Sequence, residues 1–475
     1  MAAGGGDPAG SSDPFADQDP VDAALGGPSA SAGPASDGPD DDFDALGFDT
    51  SFGASPAGGF GLSPGGIGDK DPTPPDGIYA GEAVAVLNAH AVGKALAEAN
   101  GQAGDDDAQP DLEALQQGLV GVDIGAATAV VARFDEDGHH VIVPNADDEL
   151  LTPAQVVFDE DGEKLVGREA RMTAPSAPGR AIIDLKEMIA DPFFRLGGGD
   201  DVDARAVVAF LLGRLLDDVA ADTGARPTHV ALAAPAWFAE PQREVLRAAA
   251  ERAGVTLVGI TDESLAAAVP YSLRLPDLNP RTALVFDLGH AALGVAVVRC
   301  AGGDIQILAQ DARRDLGSSA WDKLLAEEAA RKFKQAHGFD PAKDAPSKLD
   351  LRLRAEDAKR ELSRRAQCAL VVSGGGKSLK VGFTRTGFEE AAKGLVQRSL
   401  ELARAVRDKA GLKAWREVDA LILTGGGART PLVRRALTAE VGREPEKGIS
   451  HEEGVAIGAL YWGIGERHRT AKRPG

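Results

Sequence analysis

Short apolar runs separated by turns dominate the middle of this chain, and one such pattern occurs twice. Gly121-Val122-Asp123-Ile124-Gly125 is a β-rich run that ends in Asp, a small hydrophobe and Gly, and Thr128 to Phe134 follows as a second run. Val285-Phe286-Asp287-Leu288-Gly289 repeats it, followed by Val295 to Val298. Each copy predicts strand, tight turn, strand, with a carboxylate at the lip of the turn. Val156 to Phe158, Asp161-Gly162 and Lys164 to Gly167 predict a further hairpin.

The period then changes. Arg205 to Ala221 puts Val208, Leu211, Leu212, Leu215, Leu216 and Val219 on one helical face. A strand at His229 to Ala233, a helix at Glu240 to Ala253, a strand at Val255 to Ile260 and a helix from Glu263 to Tyr271 follow. The second half repeats this rhythm after Arg281: strands at Leu284 to Phe286, Val295 to Val298 and Ile305 to Ala309, then helices at Trp321 to His337 and Leu349 to Arg364. A hairpin (Ala369 to Val372 with Ser378 to Phe383), one long helix over Phe388 to Ala410 and a buried strand at Leu421 to Leu423 come next. A turn at Gly425 to Gly427 and helices at Pro431 to Glu440 and Glu452 to Tyr461 complete it. Strand and helix alternating in two similar halves predict an α/β protein of two lobes.

Composition marks off the N-terminal part. Residues 1–77 are mostly Gly, Pro, Ser, Ala and Asp, with Lys70 the only base, so they are expected to form a disordered acidic arm. Its islands Phe43, Leu46, Phe48, Phe52, Phe60 and Leu62 are either incidental hydrophobes in a solvated tail or a docking motif. Residues 78–100 read as an isolated Ala-rich helix with Val84, Val86, Leu87, Ala91 and Leu96, whose weak apolar face would dock on the main domain or on a partner. Residues 101–117 read as an acidic linker.

The formal net charge of −22 argues against general nucleic-acid or anionic-membrane binding. Cys300 and Cys368 make no disulfide framework, so a cytoplasmic setting is expected. No secretory signal and no membrane-spanning run is visible.

Two facing glycine turns would put N–H groups and two carboxylates around one phosphate chain, since such turns suit anions and carboxylates suit hydrated Mg²⁺. From about 119 to 465 the chain resembles the nucleotide-binding domain of the seventy-kilodalton heat-shock chaperones (the DnaK type), of the actin and sugar-kinase superfamily. The resemblance rests on Gly121 to Gly125, Leu151-Thr152-Pro153, Asp184-Leu185-Lys186, Ala234 to Phe238 with Gln242-Arg243, Ile260 to Tyr271, Phe286 to Gly289 and Leu423 to Pro431, in the family's order.

It implies a two-lobed actin-like ATPase fold of duplicated ribonuclease-H-like domains. The lobes would span 118–278 and 279–438, with a C-terminal helix at 439–466 returning to lobe I and a frayed basic tail at 467–475. It implies ATP or ADP with Mg²⁺ as ligands, Lys186, Glu263 and Asp287 as catalytic groups, and Asp123 and Asp287 on the metal through water. Gly125, Ala126, Ala127, Gly289, His290 and Ala291 would line the phosphates. Glu356, Lys359, Arg360 and Ser363, with Gly425, Gly426, Gly427, Arg429 and Glu452, would hold the nucleoside. Glu356 would accept ribose hydroxyls, Lys359 would donate to them, and Arg360 and Arg429 would sandwich adenine.

The chain departs from the family in its phosphate loops. Ala126 and Ala127 replace two threonines, and Gly289-His290-Ala291-Ala292-Leu293-Gly294 replaces Gly-Gly-Gly-Thr-Phe-Asp. If the replaced glycines need positive φ, His290 and Ala291 are expected to be strained. A third phosphate turn, Leu316 to Asp322, is altered too. Only the basic tail follows Gly465, so the family's peptide-binding module is expected to be absent. The expected function is therefore a slow Mg²⁺-dependent ATPase acting as a conformational switch, with client proteins and a possible nucleotide-exchange factor as partners. The alternatives are a nucleotide-binding scaffold without turnover and a small-molecule kinase.

Overall fold

The computed structural model describes residues 112–471, except 160, 162, 192–193, 195, 197–201, 276–278 and 302–303. The expected arm, the isolated helix 78–100 and residues 101–111 of the linker lie outside the described residues. Leu112–Gln116, the end of that linker, is a short helix.

The first lobe contributes β1 (Leu119–Ile124), β2 (Thr128–Phe134), β3 (His140–Ile142), β4 (Thr152–Pro153), β5 (Val156–Phe158), β6 (Lys164–Val166), β7 (Ala181–Ile182), β8 (His229–Ala234) and β9 (Thr256–Asp262). The second contributes β10 (Arg281–Leu288), β11 (Leu293–Ala301), β12 (Asp304–Arg313), β13 (Gln367–Gly374), β14 (Lys377–Thr384) and β15 (Ala420–Thr424). The central sheets run β3-β2-β1-β8-β9 and β12-β11-β10-β15, the same plan less one strand. Asp123 opposes Val130 across the β1–β2 hairpin and Ala233 of parallel β8. Asp287 opposes Gly294 and Thr424 in the corresponding pairs. The duplicated sequence motif is thus a duplicated register, with each carboxylate at the carboxyl end of a central parallel strand, where open α/β sheets place ligands.

Both sheets are covered on both faces, which is why their strands read as nearly continuous apolar runs. Val120, Val122 and Ile124 face one core with the helices Ala204–Thr223 and Glu240–Arg252. Leu284, Phe286 and Leu288 face another with the helices Ser318–His337 and Ala345–Arg364. Leu119, Ala283 and Val285 turn the other way, onto a core shared by the helices Glu263–Ser272 and Gly454–Ala471. Those two helices touch backbone to backbone. A Cβ at Gly458 would lie 1.9 Å from the Ala266 carbonyl oxygen, and one at Gly121 would lie 2.3 Å from Leu460 N.

Three expectations are corrected. The helix expected over Phe388 to Ala410 is two, Arg385–Ala391 and Lys393–Lys409. Ala392, fully buried, breaks it at φ −85°, ψ −4°, away from helical ψ. The basic tail is not frayed at 467: the last helix runs to Ala471, His468 is buried, and Arg467 donates to the carbonyls of Leu115 and Gln117 at 2.7 and 3.0 Å. That guanidinium satisfies the open carbonyls that end the Leu112–Gln116 helix, so tail and linker hold each other. Finally, the third loop turn is helical from Ser318, three residues before the expected start.

Candidate functional site

A cleft of about 1280 Å³ lies between the lobes, lined by all but two of the residues singled out from the sequence. Ala291 and Gly427 are the exceptions. Ala291 borders a water-sized space of about 30 Å³ next to Asp287 and Glu263. Gly427 is packed inward, where a Cβ would lie 2.6 Å from Leu288 Cγ.

Strand ends build the cleft floor. Asp123 comes from β1, Asp287 from β10, and Glu263 opens the helix that follows β9. Lys186 sits in the first turn of the Leu185–Ala190 helix, which Asp184 caps by accepting from Glu187 N at 3.1 Å. Lys186 Nζ meets Glu263 Oε1 at 2.5 Å, both side chains nearly buried. Burial disfavours the ammonium, but Glu263 and then Asp123 outweigh it and hold Lys186 above the ordinary lysine value. Burial, with Glu263 adding to it, raises Asp123 to about 7 and Asp287 to about 8, and Lys186 offsets this only in part. Asp123 Oδ1 is buried without a hydrogen-bond partner. Three carboxylates against one ammonium leave the floor short of positive charge.

A pH dependence follows. Both aspartates have folded values above the ordinary 3.8, so the stability they contribute is complete below about pH 4 and is lost as pH rises through about 7 and 8. Without divalent cation, the melting temperature is expected to fall between pH 6 and 9. Asp287→Asn is expected to flatten that fall and to raise the pH 9 value by about 2 °C or more, read by scanning calorimetry. An unchanged slope would refute the assignment.

The phosphate-loop positions are unstrained. Asp148 is the only non-glycine residue with positive φ among the described residues, so the strain expected at His290 and Ala291 is absent. Gly125 closes the first turn tightly, with a virtual Cβ 2.3 Å from the Thr128 carbonyl oxygen. The second loop lies against the start of the Ser318–His337 helix. Ser318 N donates to the Gly289 carbonyl at 2.8 Å and Ser319 N to that of His290 at 3.1 Å. Gly317 permits this approach, since a Cβ there would lie 2.4 Å from the His290 carbonyl oxygen. Two helix-terminal donors are thereby used inside the protein. The His290 ring is buried, which lowers its pKa to about 3. Its Nε2 accepts from Arg352 at 3.4 Å and its Nδ1 lies 3.9 Å from Asp322.

The four helix residues read from the sequence do share one stretch of the cleft wall. Glu356 is bound by Arg360 and Arg171, at 2.6 and 2.8 Å. Burial opposes its charge, but Arg360 and Arg171 outweigh it and hold Glu356 at about 2. Lys359 is directed inward, to Asp322 at 2.7 Å and the Ser318 carbonyl at 3.0 Å. Ser363 Oγ donates to the Lys359 carbonyl. Arg360 and Arg429 keep about half their side-chain surface open, and Arg429 pairs with Glu452. Gly425 takes φ 79°, and a Cβ there would lie 2.4 Å from Leu288 and 2.7 Å from Asp287 Oδ1.

Sequence reasoning missed Arg171 and the role of Asp322. Arg171 reaches from lobe I across the cleft to Glu356, to Asp357 at 2.8 Å and to the Leu353 carbonyl at 3.2 Å. Nothing in its local sequence marks it, because its partners lie some 185 positions away. Asp322 carried a weak signal, as the final residue of the altered turn. Arg171→Ala is expected to destabilise the folded chain by about 1.5–3 kcal/mol, read from urea midpoints, since charge-assisted bonds contribute about that much. An unchanged midpoint would show that the bridge does not hold the lobes together.

The family model described as Hsp70 protein matches residues 119–196 and 194–464. Every cleft residue named above falls within those ranges.

Proposed function

The chain belongs to the Hsp70 family, and from that premise we propose that it binds ATP and ADP with Mg²⁺ in this cleft, hydrolyses ATP slowly, and works as a nucleotide-dependent conformational switch. Domains of this family are chaperone-type ATPase domains with an actin-like fold. The observation that supports the finer reading is the convergence of Asp123, Lys186, Glu263 and Asp287 on one floor, below a wall bearing Arg360 and Arg429.

The floor fits a divalent cation: Asp123 Oδ1 lacks a partner, and the carboxylates exceed the cations. Among the described residues, no three His, Cys, Asp or Glu side chains converge as direct ligands, so Asp123 and Asp287 would hold a hydrated ion through its waters. The ion would neutralise charge on the phosphates. Lys186 would offset charge growing on the transferred phosphoryl group, and Glu263 would hold Lys186 in place and orient water. Arg360 and Arg429 offer planar guanidinium faces to adenine, and Glu356 would accept from ribose once Arg171 yields. Turnover is slow because Ala126 and Ala127 supply no hydroxyls and because the Ser318 and Ser319 N–H groups serve the second loop.

These same losses favour one rival, a nucleotide-binding scaffold without turnover. Calorimetric ATP binding and single-turnover hydrolysis with Mg²⁺, on the full chain beside Lys186→Ala, separate the two. Hydrolysis abolished by Lys186→Ala supports the switch. Binding without hydrolysis in either protein supports the scaffold, and absence of binding refutes both. A phosphorylated acceptor would indicate a kinase. Protein clients and a nucleotide-exchange factor are the partners this reading calls for. A cytoplasmic site accords with two buried free cysteines, and no described helix is long and apolar enough to cross a membrane.

A further inference from the structure

A second groove, of about 850 Å³, lies on lobe I between the β6 edge, the helix Arg168–Thr173 and the outer face of the helix Ala204–Thr223. That outer face should be charged, since the buried stripe of the same helix already supplies the core. Instead it presents Ala209, Phe210 and Gly213, with charge only beyond them at Arg214 and Asp217. Met172, 75% exposed, adds a large apolar side chain to the groove. Lys164 places its ammonium 5.7 Å from the centroid of the Phe210 ring and holds no ion pair among the described residues. Five basic side chains line the groove against three acidic ones; Arg226 and Arg252 each pair with one carboxylate, Asp217 and Asp203, at 3.0 Å and stay nearly half exposed. An apolar floor in a basic rim fits an acidic amphipathic segment.

The chain carries one. Residues 1–111 hold 20 acidic residues against Lys70 and Lys94, so most of the net charge of −22 lies there. Within residues 79–111, Val84, Leu87 and Ala91 fall at i, i+3 and i+7, and Asp105, Asp106, Asp107 and Asp111 follow. This segment joins the described structure at Leu112, ahead of the Leu112–Gln116 helix and of Gly118, whose carbonyl accepts from Thr228 N, two residues beyond Arg226. Eleven residues, 101–111, reach up to roughly 35 Å when extended.

We propose that residues 79–111 dock in this groove of their own chain. Val84, Leu87 and Ala91 cover Phe210, Gly213 and Met172, and Asp105 to Asp107 lie against Arg226 and Arg252. Because the groove shares Met172 and Arg168 with the cleft, and their helix carries Arg171, an occupied groove bears on the arginine that spans the lobes.

The test is disulfide trapping in the full chain, since both native cysteines are buried. Gly213→Cys is tolerated, because a Cβ there meets nothing nearer than Arg226 Nη2 at 3.9 Å. Leu87→Cys with Gly213→Cys is expected to cross-link within the monomer at least tenfold faster than Leu87→Cys with Val371→Cys, an exposed position on the lobe II hairpin. Adding Arg226→Glu and Arg252→Glu is expected to cancel that advantage. Equal rates at Gly213 and Val371 would overturn the proposal as undirected tail motion. Cross-links confined to dimers would overturn it in favour of a second copy, and an advantage unaffected by the charge reversals would overturn the electrostatic pairing.

Discussion

Lys186→Met is expected to lower single-turnover hydrolysis by about 10²-fold or more, and to lower the melting temperature at pH 8 by on the order of 10 °C. Both effects come from one residue facing three carboxylates. Lys186 and Glu263 form a nearly buried pair, and removing one partner of such a pair costs about 3–5 kcal/mol because the other charge is left behind. The variant adds no new charge, so the loss is electrostatic. It also has a pH signature. Asp123 and Asp287 take up protons near 7 and 8, so at pH 6 the floor has already lost most of the negative charge that Lys186 balances. The thermal loss is therefore expected to shrink between pH 8 and 6. Calorimetry at the two pH values beside rapid-quench turnover tests this. An equal thermal loss at both would mean that Lys186 acts through packing. A turnover rate within threefold of wild type would remove it from the chemistry.

Gly458→Ala is expected to leave little folded protein. The new methyl would sit 1.9 Å from the Ala266 oxygen and 2.5 Å from the Ala266 carbonyl carbon, both backbone atoms. Neither can move without separating the two helices that form the core between the lobes. A destabilisation above about 4 kcal/mol is expected. Gly213→Ala is the control: it also lies within a helix, but among the described residues a Cβ there meets nothing nearer than Arg226 Nη2 at 3.9 Å, and it is expected to gain about 0.5–1 kcal/mol from helix propensity. Soluble yield and urea midpoints decide the matter. A Gly458→Ala protein that melts like wild type would mean that the helices have room to slide apart.

The central strands were legible because burial on both faces makes them continuous apolar runs, and the two Asp-containing turns were legible because they repeat. The helices at Ala204–Thr223, Glu240–Arg252 and Pro431–Val441 lie within two residues of the expected bounds at either end, since their caps and stripes are local. The break at Ala392 was not legible, because alanine there is a strong helix former and only burial in the lobe II core sets its ψ. The end of the last helix was also misread. A run of Arg467, His468 and Arg469 reads as a frayed terminus until the Leu115 and Gln117 carbonyls are beside it.

For the cleft, sequence reasoning supplied the chemistry of the groups, since carboxylates, a lysine and glycine turns announce themselves by type and spacing. Their states came from tertiary structure. Lys359 turns inward to Asp322, Glu356 is already held by Arg171, and the Ser318 and Ser319 N–H groups are taken by the second loop. Each depends on a partner distant in sequence or on another turn. By itself the sequence determined the α/β character, the doubled turn with its two aspartates and the acidic N-terminal composition, because these rest on local periodicity and residue type. Tertiary structure alone decided which charges meet, which are buried and which bridge the lobes, because burial and Coulomb interaction depend on distance in space, which spacing along the chain does not encode.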